Sequence, residues 1–319
     1  MMKKPLALFL DKASLYPDDL DFSLINDVAS WQWFDNVNVS DIQHCLADAK
    51  VIVTNKVLIN REVLEKSEQL KLICVAATGV NNVDIEAARQ KNVKVCNVRA
   101  YATSSVAQHV FSLMLSLNRK LFSYQESAVN GQWSQSDFFC YFGEPISDLE
   151  GKTLGIIGFG ELGQAVAKIA KCFGMEVQIA KRDEADSRHG RVDLSALLSA
   201  SDVVSLHCPL TENNYHLISD QELAVMKPEA ILINTARGGL IDETALLHAL
   251  KNNQIAAAAL DVLEEEPPSV NHALLNYQSD KLIITPHMAW ASRESRQRLI
   301  NEVAKNIQAY LQGQPRNMV

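Results

Sequence analysis

Three polar side chains follow apolar runs in the second half of the chain, and together they could deliver a proton to a substrate. Arg237 lies in NTARGG, Glu266 in LEEEPP and His287 in TPH. Histidine titrates near neutral pH, and a neighbouring carboxylate favours its imidazolium form. Arginine binds carboxylates and stabilises charge on a carbonyl oxygen. This set predicts reduction of a 2-oxo acid by hydride transfer, with Arg237, Glu266 and His287 as catalytic residues.

Each of the three residues also has a purely structural interpretation. A lone histidine after a strand is commonly a hydrogen-bonded structural residue, an arginine beside Gly-Gly can cap a turn, and an acidic loop is usually only solvated. Their shared position at strand ends favours catalysis, because ligands of parallel sheets bind beyond the carboxyl ends of the strands.

The stretch TLGIIGFGELG, residues 153–163, reads as strand, glycine turn and helix. Gly158, Gly160 and Gly163 have the G-x-G-x-x-G spacing, in which the second glycine lets the backbone approach a pyrophosphate. Glycine turns also serve close helix packing alone, but a second strand pattern follows at 177–180, as in a βαβ unit. The motif predicts a dinucleotide site. Gly151-Lys152-Thr153 is not a P-loop, because Ile146 stands where that motif requires glycine.

The end of that second strand bears on the choice between NAD and NADP. NAD-binding sites carry an acid there for the ribose 2′-hydroxyl, whereas this chain has Lys181-Arg182. A basic pair suits a 2′-phosphate and favours NADP. The alternatives are that both charges are merely solvated, or that Asp183 or Glu184 binds the ribose of NAD.

Composition describes an ordinary globular protein of 319 residues, long enough for two domains. A net charge of −8 argues against nucleic-acid binding. The apolar run at 5–10 is too short for a signal peptide, and no window is long enough for a membrane span. Six cysteines lie singly without C-x-x-C spacing, which predicts buried reduced thiols, a cytoplasmic location and no metal site.

Alternating strand and helix patterns predict an α/β fold with two Rossmann-like parallel-sheet domains, a cleft between them, and a discontinuous first domain. The first domain, residues 1–101 and 291–319, is the expected substrate (catalytic) domain, and 102–290 the NAD(P)-binding domain. Strands are predicted at 6–10, 31–35, 51–55, 70–79, 93–98, 154–157, 177–180, 203–207, 230–234, 256–261 and 282–285. Helices are predicted near 22–30, 41–47, 84–91, 104–119 and 292–311, the last packing back on the first domain.

Residues 122–150 are rich in aromatics and have little periodicity. They are either a packed loop or an arm that contacts a second subunit. Clustered aromatics are enriched in interfaces, so a homodimer is predicted.

The chain resembles the D-isomer-specific 2-hydroxyacid dehydrogenase family, and within it the glycerate dehydrogenase (hydroxypyruvate reductase) branch. The resemblance spans both domains and rests on motifs in the family's order: AATGVNNVD (76–84), SSVAQHVFSLMLSLNR (104–119), LEGKTLGIIGFGELG (149–163), SLHCPLT (205–211), INTARGGLID (233–242), AALDVLEEEPP (258–268) and ITPHMAWAS (284–292). It implies interconversion of a 2-oxo acid and a D-2-hydroxy acid, above all hydroxypyruvate and D-glycerate, and also glyoxylate and glycolate.

The resemblance also implies which residues contact ligands. Substrate contacts are expected from Asn55, Lys56, Thr78, Gly79, Val80, Arg237 and His287. Together with the glycine motif, it implies cofactor contacts from Gly158, Gly160, Glu161, Leu162, Gly163, Lys181, Arg182, His207, Cys208, Pro209, Thr211, Thr235, Ala236, Arg237, Asp261, His287 and Ala289. Lys181 departs from NAD-preferring members, which carry an acid there.

Two rival functions stay open. One is another 2-oxo acid reductase of the family, and the other is a non-catalytic NAD(H)-sensing protein similar to the corepressors of this fold. Glu266 disfavours a formate dehydrogenase, in which a neutral glutamine is expected beside the histidine.

Overall fold

The computed structural model of the protein describes residues 4–38 and 43–319. The chain forms two compact units. The first comprises Met1–Ala102 and Ala291–Val319, and the second comprises Thr103–Trp290.

The first unit is built on a five-stranded parallel sheet. Its strands are β1 (Leu6–Phe9), β2 (Ser30–Trp33), β3 (Val51–Thr54), β4 (Leu72–Val75) and β5 (Lys94–Cys96), in the order β2-β1-β3-β4-β5. Its helices are α1 (Ser23–Val28), α2 (Gln43–Leu46), α3 (Arg61–Lys66), α4 (Ile85–Gln90) and, at the end of the chain, α11 (Arg293–Leu311). Strands β3 and β4 are buried throughout, which explains why they read as continuous apolar runs. The strand order reverses between β1 and β3, the place where open α/β sheets bind ligands.

The second unit is a seven-stranded parallel sheet with helices. Its strands are β6 (Thr153–Ile157), β7 (Glu176–Ala180), β8 (Arg191–Val192), β9 (Val203–Leu206), β10 (Ile231–Asn234), β11 (Ala257–Leu260) and β12 (Leu282–Ile284). Its helices are α5 (Thr103–Asn118), α6 (Leu121–Val129), α7 (Glu161–Cys172), α8 (Leu194–Ala200), α9 (Asp220–Val225) and α10 (Glu243–Lys251). The order β12-β11-β10-β9-β6-β7-β8 is that of doubly wound dinucleotide-binding sheets, with one further strand at its edge. The switch point lies between β6 and β9.

The predicted α/β fold class is confirmed, because each unit combines a parallel sheet with helices that alternate with its strands. All predicted strands are present within a few residues. The last predicted helix, 292–311, is present as α11, which begins at Arg293 after the N-cap Ser292. The helix predicted near 41–47 is observed over Gln43–Leu46, and its predicted start lies outside the described residues.

The structure differs from the sequence-based predictions in the segment after residue 121, in two unpredicted short elements and in the burial of the cysteines. The segment after 121 begins with helix α6, which has no buried face and therefore no apolar periodicity to read. Helix α3 was not predicted, and the two-residue edge strand β8 is too short to give a periodic signal. All six cysteines are free, but only Cys74 and Cys96 are buried, and Cys172 is exposed, because isolated residues in helices and loops need not face a core.

One buried imidazole couples stability to pH. His207 follows β9; its Nε2 lies 2.9 Å from Ser205 Oγ, and its buried Nδ1 has no hydrogen-bond partner within the described residues. Burial lowers the pKa of His207 from 6.5 to about 4 in the folded protein. The ring is therefore neutral when folded, whereas the unfolded chain binds a proton as the pH falls below 6.5.

We therefore expect the free energy of unfolding of the cofactor-free protein to decrease as the pH falls from 6.5 towards 4, by up to about 3 kcal/mol from this residue. Urea unfolding at pH 7 and pH 4.5 measures the loss. The loss should be smaller in His207→Gln, while His189→Gln, which alters an exposed histidine, should behave as the wild type. Equal losses in all three proteins would contradict the assignment.

Candidate active site

The predicted catalytic residues follow three neighbouring strands of the second sheet. Arg237 follows β10, Glu266 follows β11 and His287 follows β12. These strands are adjacent and parallel, so their carboxyl ends lie along one edge of the sheet.

His287 and Glu266 are in direct contact. The His287 Nδ1 lies 2.6 Å from Glu266 Oε2, and both side chains are about one-third exposed. The other oxygen of Glu266, Oε1, accepts the backbone N–H of Leu263 at 3.0 Å, which fixes the carboxylate. An ionised carboxylate only accepts hydrogen bonds, so Nδ1 carries a proton and Nε2 is the nitrogen left for a substrate.

His287 has a left-handed backbone conformation, with a φ of 51°, that residues other than glycine rarely adopt. Three hydrogen bonds hold it there. Its N–H donates to the carbonyl oxygens of Asp261 (2.8 Å) and Thr285 (2.9 Å), and its own carbonyl accepts from the indole N–H of Trp290 at 3.0 Å. Such conformations cost roughly 1–3 kcal/mol and persist only where the surroundings impose them.

Asp261, the residue after β11, supplies much of that constraint. Its buried carboxylate accepts the N–H groups of Met288 (2.9 Å) and Ala289 (2.8 Å) and the hydroxyl of Thr285 (2.6 Å). Burial by itself raises the pKa of the Asp261 carboxyl, but hydrogen bonds from His109, Thr285, Ala289 and Met288 outweigh it and hold the pKa below its usual value. The carboxylate is thus ionised and fixes the turn that carries His287.

The Arg237 turn lies against the loop that carries Glu266. The Asn234 side chain stabilises the turn. It accepts a hydrogen bond from the backbone N–H of Ala236 and donates one to the Arg237 carbonyl, both at 2.9 Å. A Cβ added to Gly238 would lie 1.9 Å from the carbonyl carbon of Leu263, so only glycine allows this approach. Thr235 Oγ1 is buried and has no hydrogen-bond partner within the described residues, which fits a turn that binds a ligand.

The glycine motif fits a dinucleotide. Gly158 has a φ of 96°, and a Cβ there would meet Cys208 N at 2.4 Å. A Cβ on Gly163 would meet the carbonyl oxygen of Gly158 at 2.2 Å, so the helix packs directly on the turn. Gly160, by contrast, has nothing within 4 Å of its would-be Cβ, which leaves open space at the N-terminus of α7. This is the arrangement that a pyrophosphate requires.

The two basic residues after β7 have different surroundings. Lys181 Nζ lies 2.8 Å from Asp193 Oδ1, and this carboxylate raises the pKa of the lysine. Arg182 is exposed, and its backbone N–H donates to Asp186 Oδ2 at 2.9 Å. The same Asp186 carboxylate binds Arg188, so the loop has an ordered shape.

The remaining predicted cofactor residues surround the same sheet edge. Glu161 opens α7 and accepts a hydrogen bond from the Thr103 hydroxyl, and Leu162 is the next residue of that helix. The backbone N–H and side-chain hydroxyl of Thr211 both bond to the Asn214 side chain, whose amide also donates to the Pro209 carbonyl at 2.8 Å. Ala236 and Ala289 are buried.

The predicted substrate residues of the first unit follow β3 and β4. The Asp11 carboxylate accepts the N–H groups of Asn55 (2.9 Å), Lys56 (2.6 Å) and Val57 (3.3 Å), which fixes the turn after β3. The Thr78 carbonyl accepts from the Asn97 side chain at 2.7 Å, so the segment before Gly79 and Val80 is also fixed.

Sequence reasoning missed several residues that position this site. No role was assigned from the sequence to Asp11, Asn234 or His109, although Asn234 and His109 lie in stretches on which the family resemblance rests. An acid or amide at or shortly after the end of a buried strand is the only local signal for the first two, and His109 has none beyond its place in an amphipathic helix. Among residues 4–38 and 43–319, no cluster of His, Cys, Asp or Glu could hold a metal ion, and no helix is long and apolar enough to cross a membrane.

Comparison with known proteins connects this geometry to a family. The profile described as "D-isomer specific 2-hydroxyacid dehydrogenase, NAD binding domain" matches residues 111–289. A glycerate dehydrogenase of Methylorubrum extorquens is 41% identical over 100% of this chain and 99% of its own length. A hydroxypyruvate reductase of Blautia hydrogenotrophica is 36% identical, with 97% and 98% covered.

Among solved structures, an acyclic imino acid reductase in complex with NADPH and D-Arg has a TM-score of 0.85 and 30% identity, with 98% of this chain and 99% of that chain covered. The family profile and the full-length relatives match stretches of this chain that include the glycine motif, the arginine turn, Glu266 and His287. The chain therefore belongs to the D-isomer-specific 2-hydroxyacid dehydrogenase family, whose members are nicotinamide-dependent oxidoreductases of 2-oxo and 2-hydroxy acids.

Proposed function

We propose that this protein reduces hydroxypyruvate to D-glycerate, and glyoxylate to glycolate, with NADPH as the preferred reductant. The observation that carries the proposal is the 2.6 Å contact between His287 Nδ1 and Glu266, which holds the imidazole at the ligand-binding edge of a dinucleotide sheet. The full-length relatives, a glycerate dehydrogenase and a hydroxypyruvate reductase, support the substrate class.

In the proposed reaction, a reduced nicotinamide held at the glycine motif would supply a hydride for the carbonyl carbon of the 2-oxo acid. The Arg237 guanidinium pairs with the substrate carboxylate and stabilises negative charge on the carbonyl oxygen. His287 Nε2 delivers the proton to that oxygen. Glu266 stays ionised, stabilises the imidazolium and orients its ring. The products are the 2-hydroxy acid, the oxidised cofactor and a neutral His287, which regains its proton from solvent.

The turn after β3 and the segment 78–80 are proposed to complete substrate binding. Asn55, Lys56 and the backbone of Gly79 and Val80 belong to segments fixed by hydrogen bonds, which suits them to bind the substrate carboxylate. Turnover separates this proposal from a non-catalytic NAD(H) sensor, which needs no proton donor. Complete absence of turnover with any 2-oxo acid would favour that rival.

Replacing His287 with alanine should lower kcat for hydroxypyruvate by roughly 100-fold or more, because the proton donor is lost. The dissociation constant of the reduced cofactor, measured by fluorescence, should change little. His189→Ala, which removes an exposed histidine, serves as the control. Wild-type turnover in His287→Ala would remove this residue as the donor.

We assign the preference for NADP to Arg182. Its guanidinium is exposed, whereas the charge of Lys181 is already paired with Asp193. A 2′-phosphate pairs well with an arginine, so Arg182 carries more of the preference than Lys181.

Arg182→Ala should therefore raise the KM for NADPH roughly 10-fold or more and leave that for NADH nearly unchanged. Lys181→Ala should have a clearly smaller effect. Steady-state kinetics with both cofactors gives the comparison. Equal losses for NADPH and NADH in Arg182→Ala would end the assignment.

We also propose a homodimer formed through the segment 122–150. Hydrogen bonds order this segment: Trp133 Nε1 donates to the Phe139 carbonyl at 3.0 Å, and Tyr124 Oη to the Glu144 carbonyl at 2.8 Å. It nevertheless presents Phe139, 92% exposed, and Phe142, 85% exposed, to solvent. An ordered segment that exposes clustered aromatics is typical of a protein interface.

The double substitution Phe139→Asp/Phe142→Asp should convert a dimer into a monomer of 35.4 kDa in light scattering, with an unchanged circular dichroism spectrum. Val270→Asp alters an equally exposed apolar residue outside the segment and should stay dimeric. A wild-type protein that is already monomeric would refute the dimer.

We also propose a cytoplasmic location, which is supported by six cysteines that are all free thiols.

A further inference from the structure

The turn that carries His287 is connected to helix α5 through a chain of hydrogen bonds that the proposed mechanism does not use. His109, on α5, has its Nε2 3.0 Å from Thr285 Oγ1 and 3.5 Å from Asp261 Oδ1. Thr285 Oγ1 lies 2.6 Å from the same carboxylate oxygen. The three groups thus form one cluster beneath residues 287–289.

The direction of each hydrogen bond follows from the inventory of donors. The ionised Asp261 carboxylate only accepts, so the single hydroxyl proton of Thr285 is donated to it. The Thr285 oxygen is then left as an acceptor for His109. The Nε2 of His109 must therefore carry a proton and act as the donor.

The cluster bears directly on the position of His287. Asp261 holds Met288 and Ala289 through their N–H groups, while its own carbonyl accepts the N–H of His287 at 2.8 Å. Helix α5 makes a second hydrogen bond to the same turn, in which Ser105 Oγ donates to the Ala289 carbonyl at 2.6 Å. Since the left-handed backbone of His287 is unfavourable by itself, the turn depends on these bonds.

We propose that His109 is a positioning residue for the reaction: by donating to Thr285, which in turn donates to Asp261, it holds the 285–289 turn so that His287 stays against Glu266. The inference rests on the proposed function, in which His287 is the proton donor. His109 itself does not touch the substrate or the reacting atoms.

His109→Leu removes the donor and should lower kcat for hydroxypyruvate roughly 10- to 100-fold, because small displacements of a catalytic group have effects of this size. His109→Gln keeps an N–H donor at the end of a side chain of similar length and should restore kcat to within about threefold of the wild type, the order of change expected when a hydrogen bond is largely retained. Gln108→Leu makes the same kind of change on an exposed neighbour in the helix and should leave kcat unchanged.

A double substitution separates positioning from general damage. If His109 acts through His287, His109→Leu/His287→Ala should be no slower than His287→Ala alone, since the group to be positioned is already absent. Structural damage would instead multiply the two losses. Thr285→Val removes the hydroxyl between His109 and Asp261, should lower kcat like His109→Leu, and provides the test if His109→Leu does not fold.

The outcomes distinguish this inference from the proposed function. An inactive His287→Ala together with a fully active His109→Leu overturns the positioning role alone, as does a double variant in which the losses multiply. A fully active His287→Ala overturns both, because there is then no donor to position.

Discussion

The turn that carries His287 depends on one buried negative charge, the Asp261 carboxylate. A buried ionised carboxylate is unfavourable unless hydrogen bonds replace its water, and here two backbone N–H groups, a hydroxyl and an imidazole surround it. The same bonds determine the path of the chain from residue 285 to 289. The requirement to satisfy one charge therefore sets the backbone conformation of His287, and with it the contact with Glu266.

The first unit uses a similar arrangement at the switch point of its own sheet. Asp11 follows β1, is nearly buried, and accepts three consecutive N–H groups from the turn after β3. In both units a carboxylate at the end of one strand fixes the turn after a neighbouring strand. Each turn is thus held by a residue that follows a neighbouring strand rather than only by contacts within the turn. This arrangement gives the precise positioning that catalysis and substrate recognition require.

The sequence predicted what depends on local pattern. Buried parallel strands are runs of apolar residues, and the glycine spacing follows from steric needs that involve few residues, so both could be recognised directly. Helix α6 could not, because none of its residues is buried and no periodicity arises. The contact of His287 with Glu266 was expected from the order of motifs, but the roles of Asp261 and His109 depend on contacts between distant segments that no local pattern encodes.

The end of β7 shows why counting charges in a sequence is not sufficient. Lys181 and Arg182 read as an equivalent basic pair, yet only their partners decide which charge is available to a ligand. The carboxylate of Asp193, the residue before α8, accepts a hydrogen bond from Lys181, and a new partner would have to replace that bond before it gained anything. The exposed guanidinium of Arg182 has to lose only water. A 2′-phosphate would therefore gain more from Arg182, and the proposed preference for NADP depends on one arginine rather than on two basic residues.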